Sequence, residues 1–199
     1  YLIMYYLHLT EDGDNNVDDV INSANVNLTV NSRDDDIDAG TTLTGGTGTD
    51  ILNLTATGGD AATLTAVTGF EQINVVDAVV AGTDIAITPN LTTTVTQNID
   101  ASELDGSSQA TADEQLTLSG AGAAGKLNVT GGGGKDTLTG GNANDTLHGN
   151  GGVDSINGNA GADHITGGAG NDKITLDSKA EYTSAVGSDT IDGGAGTDT

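Results

Sequence analysis

The sequence predicts an all-β protein: a parallel β-roll or β-solenoid in the second half, preceded by a strand-rich β-solenoid or sandwich region. Three observations predict it. From residue 131 an Asp recurs every nine residues, and an aliphatic follows each Asp by two. In the first half, short β-branched runs are separated by Gly, Asp or Asn, the pattern of strands and turns. No window has a convincing helical period, residues 61–67 being the best helical candidate.

The second-half repeats read GGGGKDTLT, GGNANDTLH, GNGGVDSIN, GNAGADHIT and GGAGNDKIT. Asp136, Asp145, Asp154, Asp163 and Asp172 form one column. Leu138, Leu147, Ile156, Ile165 and Ile174 form the other. Each repeat supplies a glycine-rich turn and a three-residue strand whose middle aliphatic points inward. Two repeats then make one 18-residue coil. Asp136, Asp154 and Asp172 fall on one edge of the roll, and Asp145 and Asp163 on the other. Asn150 and Asn159 occupy glycine slots, where Asn tolerates left-handed backbone geometry.

The chemistry of these turns is that of a hard cation. Calcium takes six to eight oxygens from carboxylates and carbonyls. Glycine lets the backbone turn tightly and approach a ligand closely. The pattern resembles the RTX glycine-rich nonapeptide, GGxGxDxUx with U aliphatic, a calcium-binding repeat. The resemblance implies several calcium ions between stacked turns, each shared by a turn and the one 18 residues on. The expected ligands are Asp136, Asp145, Asp154, Asp163 and Asp172, with turn positions Gly131, Gly134, Gly140, Gly152, Gly161 and Gly170. Each coil buries only about two aliphatic side chains, and the Asp columns repel each other. Calcium binding is therefore expected to drive folding, which suits export before folding.

The pattern runs on imperfectly. Leu127 stands nine residues before Asp136, in a coil with a strand (Val129) but no carboxylate, expected to cap the array. After Ile174, residues 176–184 lack glycine, and Asp189 and Asp198 then resume the spacing as further expected ligands. Asp189 is 17 residues from Asp172, one short of a coil, so an irregular loop is expected between them.

In the first half, Val26 to Val30, Ile51 to Leu54, Ile73 to Val75 and Ile85 to Ile87 read as strands. Gly45 to Asn53 matches one full repeat, which makes Asp50 a further candidate calcium ligand. The stretches GGTGTDILNL, TGFEQINVV and NIDASEL resemble bacterial surface-layer proteins that carry RTX repeats. The domain reading is a strand-rich region over 1–112 and a calcium-binding roll over 113–199, with the boundary at 102–112. The acidic segment 12–19 departs from an EF-hand, with Val17 where Gly is needed and Ser23 where Glu is needed. It reads as a solvated acidic turn, with an irregular calcium site as the alternative.

Composition narrows the function. The chain has 199 residues, 29 Asp plus Glu against 5 Lys plus Arg, and a net charge of −24. Phosphate backbones would be repelled, so no nucleic-acid partner is expected. Zero Cys excludes disulfides and thiolate sites. The most apolar stretch, residues 1–9, is about half the length of a membrane span, so no membrane insertion is expected. It reads as a first strand or as a strand donated to a neighbour. No HExxH or GxSxG occurs, and His148 and His164 flank inward aliphatics and should face out, so no enzyme is expected.

Two functions remain. One is a calcium-dependent extracellular or cell-surface protein that self-assembles as a surface-layer or filament subunit. Its expected partners are copies of itself and, as a further contact, cell-surface polysaccharide. The other is the RTX module of a larger secreted adhesin, toxin or hydrolase.

Overall fold

In the computed structural model, the described residues are 5–8, 20–22, 28–33, 42–45, 48–56, 62–77, 85–89, 96–104, 114–176 and 188–199. They hold 17 strands and no helix. The odd-numbered strands are β1 (Tyr5–His8), β3 (Leu28–Arg33), β5 (Ile51–Ala56), β7 (Gln72–Asp77), β9 (Gln97–Asp100), β11 (Leu127–Thr130), β13 (Thr146–Gly151), β15 (His164–Ala169) and β17 (Thr190–Ala195). The even-numbered are β2 (Val20–Asn22), β4 (Thr42–Thr44), β6 (Ala62–Thr68), β8 (Ile85–Pro89), β10 (Leu116–Ser119), β12 (Thr137–Thr139), β14 (Ser155–Asn157) and β16 (Lys173–Thr175).

The odd strands make one sheet in chain order, and the even strands make the other. The pairs are parallel throughout. The chain thus alternates between two sheets and advances one strand per coil, which is a β-solenoid. This is the all-β parallel architecture expected for the roll, and it extends through the first half as well. The best helical candidate, 61–67, is not helical over its described part: β6 holds residues 62–67 as strand. Its branched Thr and Val positions suit a pleated surface better than a helix.

Coil length varies along the stack. Asp50 meets the next coil at residue 71, a step of 21. Asn98 meets it at residue 128, a step of 30. From Asp136 to Asp172 the step is 18. Both sheets run past the segment 102–112, since β9 pairs with β11 and β8 with β10. Residues 105–113 lie outside the described residues, as do the acidic segments 12–19 and 34–38.

Strand alternation builds the core. Leu52, Ile73, Ile99, Val129, Leu147 and Ile165 stack in register along the first sheet and are buried. Ile87, Leu118, Leu138 and Ile156 do the same along the second. Wide first-half strands bury a second residue each, such as Leu54 and Val75.

Candidate metal centre

Each glycine-rich turn ends in an Asp placed just before a strand, where the chain turns inward. The five Asp residues from 136 to 172 are 0–2 % exposed. Burial of so many carboxylates without a cation demands compensation, and part of it comes from the backbone. The N–H of Asp136 donates to Oδ1 of Asp154 at 2.8 Å, and that of Asp154 to Oδ1 of Asp172 at 2.9 Å. Asp172 N–H donates to Asp198 Oδ1 at 2.9 Å. On the other edge, Asp145 N–H donates to Asp163 Oδ1 at 2.7 Å, and Asp163 N–H to Asp189 Oδ1 at 2.8 Å. The structure therefore builds two columns, one of Asp136, Asp154, Asp172 and Asp198, the other of Asp145, Asp163 and Asp189.

Each run of Asp residues meets a leucine on the coil before it. Leu116 N–H donates to Asp136 Oδ1 and Leu127 N–H to Asp145 Oδ1, each at 2.8 Å. Leu127 and Leu116 thus stand, in the coil before, at the position that Asp holds in the roll. Asp189 and Asp198 each stack on an Asp 26 residues earlier, eight more than the regular step. The added residues fall in 177–187, outside the described residues.

The second carboxylate oxygen is the informative one. In the first turn on each edge it accepts a backbone N–H, from Gly132 to Asp136 at 2.8 Å and from Gly141 to Asp145 at 2.6 Å. Farther along, Oδ2 of Asp154 and of Asp172 is buried and has no hydrogen-bond partner. The backbone of these two turns differs from that of the first turns. There the strands extend to Gly151 and Ala169, and Asn150 and Gly168 adopt φ of 73° and 116°. Each of these oxygens lies against the first glycine of its own turn, Gly149 or Gly167.

Electrostatics agree. Burial pushes Asp154 up to about 7, with the neighbouring Asp136 and Asp172 adding to it against the hydrogen bond from Asp136 N–H. Burial raises Asp136 to about 6, against the N–H groups of Leu116 and Gly132. Burial also raises Asp145, opposed by the Gly141 and Leu127 N–H groups and by Lys126. Such groups accept either a proton or a cation. Among the described residues no three carboxylate or imidazole side chains converge. A cation must draw on one carboxylate per stacked turn together with turn carbonyls, a hard-oxygen set that fits calcium.

The glycines supply the close approach. Gly134, Gly152 and Gly170 stack so tightly that a Cβ on Gly152 or Gly170 would collide with the carbonyl oxygen of the glycine below. Gly161 lies in the same way over the Ala143 carbonyl. Gly131 and Gly140 are placed differently: their carbonyls accept the Asn150 and Asn159 side-chain N–H groups, both at 2.7 Å. Those two asparagines tie coil to coil.

The register also finds residues the nine-residue spacing missed. Asp50 belongs to the column of Asp145, with Glu71, Gln97 and Leu127 at the intervening coils. Asp50 N–H donates to Glu71 Oε2 at 2.8 Å, the same link that the Asp residues make in the roll. Gln97 substitutes an amide, donating to Phe70 O at 3.1 Å. Each is followed after two residues by an inward aliphatic, Ile73 or Ile99. That pairing was the available signal, but coils of uneven length hide it from any fixed period. His148 and His164 face outward as expected, and burial and then His164 lower the His148 pKa.

Residues 130–164, 148–178 and 186–199 match the family model of the RTX calcium-binding nonapeptide repeat, four copies. No curated protein and no solved structure matches the chain.

Proposed function

From RTX repeats that bind calcium and are typical of secreted proteins, we propose a structural role for this chain outside the cell. It is a calcium-dependent β-solenoid that self-assembles as a surface-layer or filament subunit and does no catalysis. The observation that carries the calcium dependence is the pair of buried, unpartnered oxygens, Asp154 Oδ2 and Asp172 Oδ2, on one edge of the stack. Asp172 and Asp154 would each serve an ion, with Asp136, Asp145, Asp163, Asp189, Asp198 and the stacked turn carbonyls completing the two edges. The ion supplies the positive charge that cancels column repulsion, and it ties neighbouring turns together.

Extracellular modules hold calcium at about 10⁻⁴–10⁻³ M, levels the cytosol lacks. The roll is thus expected to stay open inside the cell and to close on export. Copies of this chain are the proposed partner, with cell-surface polysaccharide as a further contact. Electron microscopy of the purified protein with and without calcium tests this reading. Ordered sheets or filaments that vanish on chelation are the expected result. Dispersed monomers at high concentration with calcium would overturn assembly and favour an RTX module of a larger adhesin, toxin or hydrolase.

A further inference from the structure

Two histidines 16 residues apart in sequence meet on the outer face of the first sheet. Thr146 pairs with His164 and His148 with Thr166, so the imidazoles stand on adjacent strands, two positions apart on one face. Their ring centres are 6.0 Å apart with planes at 82°. Leu147 and Ile165 beside them are buried, so alternation points both rings away from the core and from the carboxylate columns. His164 is exposed and His148 half-buried.

We propose that His148 and His164 form a binding site for a borderline transition-metal ion, Zn²⁺, Ni²⁺ or Cu²⁺, assembled when the roll folds. Imidazole nitrogen suits these ions, whereas calcium prefers oxygen, so calcium belongs to the turns at the edges and the second metal to the outer face of the first sheet. With metal–nitrogen bonds of about 2.0–2.1 Å, two imidazoles on one tetrahedral ion have ring centres about 5 Å apart. Small side-chain rotations close the remaining gap. Water, or groups from a second molecule, fills the other coordination positions on this open face. The pair exists only in the β13–β15 register, so calcium and the second metal reinforce each other by linkage.

Nickel titration of the calcium-loaded protein by calorimetry tests the site. The expected result is one ion per chain, weakened about tenfold or more in His148→Ala and in His164→Ala and unchanged in His8→Ala. Stripping calcium over a chelating resin should weaken nickel binding about tenfold, within the usual 5–150-fold range of coupling. Wild-type affinity in both roll variants would overturn the proposal, as would full affinity in a calcium-free chain that has lost its strands. Circular dichroism of the same samples separates a failed site from a failure of calcium-dependent folding.

Discussion

The backbone N–H of Asp136 donates to Oδ1 of Asp154 at 2.8 Å, across 18 residues of sequence. One carboxylate therefore has two jobs. Its Oδ1 joins its own turn to the turn before, while its Oδ2 is buried without a hydrogen-bond partner and is placed to meet a cation.

Two substitutions at Asp154 separate these jobs. Asp154→Asn keeps an acceptor for Asp136 N–H and removes the charge. It should weaken calcium binding about tenfold or more, yet leave the calcium-free roll no less stable, because a buried charge is gone. Asp154→Ala removes both, stranding the Asp136 N–H at a further cost of about 1–3 kcal/mol. It should disturb the ions on both sides and loosen neighbouring coils together. Asp50→Ala, several coils away, should leave the roll intact. Calcium calorimetry with circular dichroism reads all three, and wild-type stoichiometry and midpoint in Asp154→Ala would refute the shared-turn arrangement.

The pH dependence has a definite sign. The folded-state values of Asp154, about 7, and Asp136, about 6, lie above the ordinary 3.8. Their protonated forms stabilise the calcium-free roll, fully below that ordinary value, and this contribution is lost as pH rises through about 6 and then about 7. Protons and calcium therefore compete in this window. Calcium affinity should climb from about pH 4 to about pH 7 and then level off, with protons released on binding at pH near 6. Calorimetry in two buffers of different ionisation enthalpy measures that release. No proton release there, with a flat affinity profile, is the contrary outcome.

Gly152 and Gly122 both have positive φ, 112° and 87°, but differ in their surroundings. A Cβ on Gly152 would strike the Gly134 carbonyl, while one on Gly122 would meet nothing within 4 Å. Gly122→Ala should cost about 1 kcal/mol, the usual left-handed penalty. Gly152→Ala adds a backbone displacement between coils and should cost more than 2 kcal/mol, an estimate in the range of strained core changes. Thermal melts in saturating calcium compare them, and equal costs would contradict the close stacking of turns.

Leu138 is fully buried, and its neighbour Thr137 is exposed. Leu138→Ala should cost about 2–5 kcal/mol, and Thr137→Ser should stay within about 0.5 kcal/mol. Denaturant melts in calcium give both values. A neutral Leu138→Ala would mean that the strand faces the other way.

The legible part of this fold was the part with a constant period. Asp and aliphatic columns at spacing nine gave both edges, the inward leucines and isoleucines, and the left-handed Asn150 and Asn159, with φ of 73° and 62°. Glu71 and Gln97 were hidden because their coils differ in length, so parallel register alone aligns them with Asp50 and Asp145. Segment 61–67 was ambiguous because a short apolar run has no distinct period, and pairing with β8 decides residues 62–67 as strand. Nor could spacing show that Asn150 and Asn159 take the Gly131 and Gly140 carbonyls, since that contact depends on how coils stack.

The central claim is that calcium folds the roll, and far-UV circular dichroism at neutral pH tests it most directly. Protein stripped with excess chelator is titrated with calcium and, separately, with magnesium. Calcium should convert a largely disordered spectrum into strand in one cooperative step. Magnesium should do little, because it demands tight octahedral geometry and gives up water reluctantly. Full strand content in excess chelator would contradict the account.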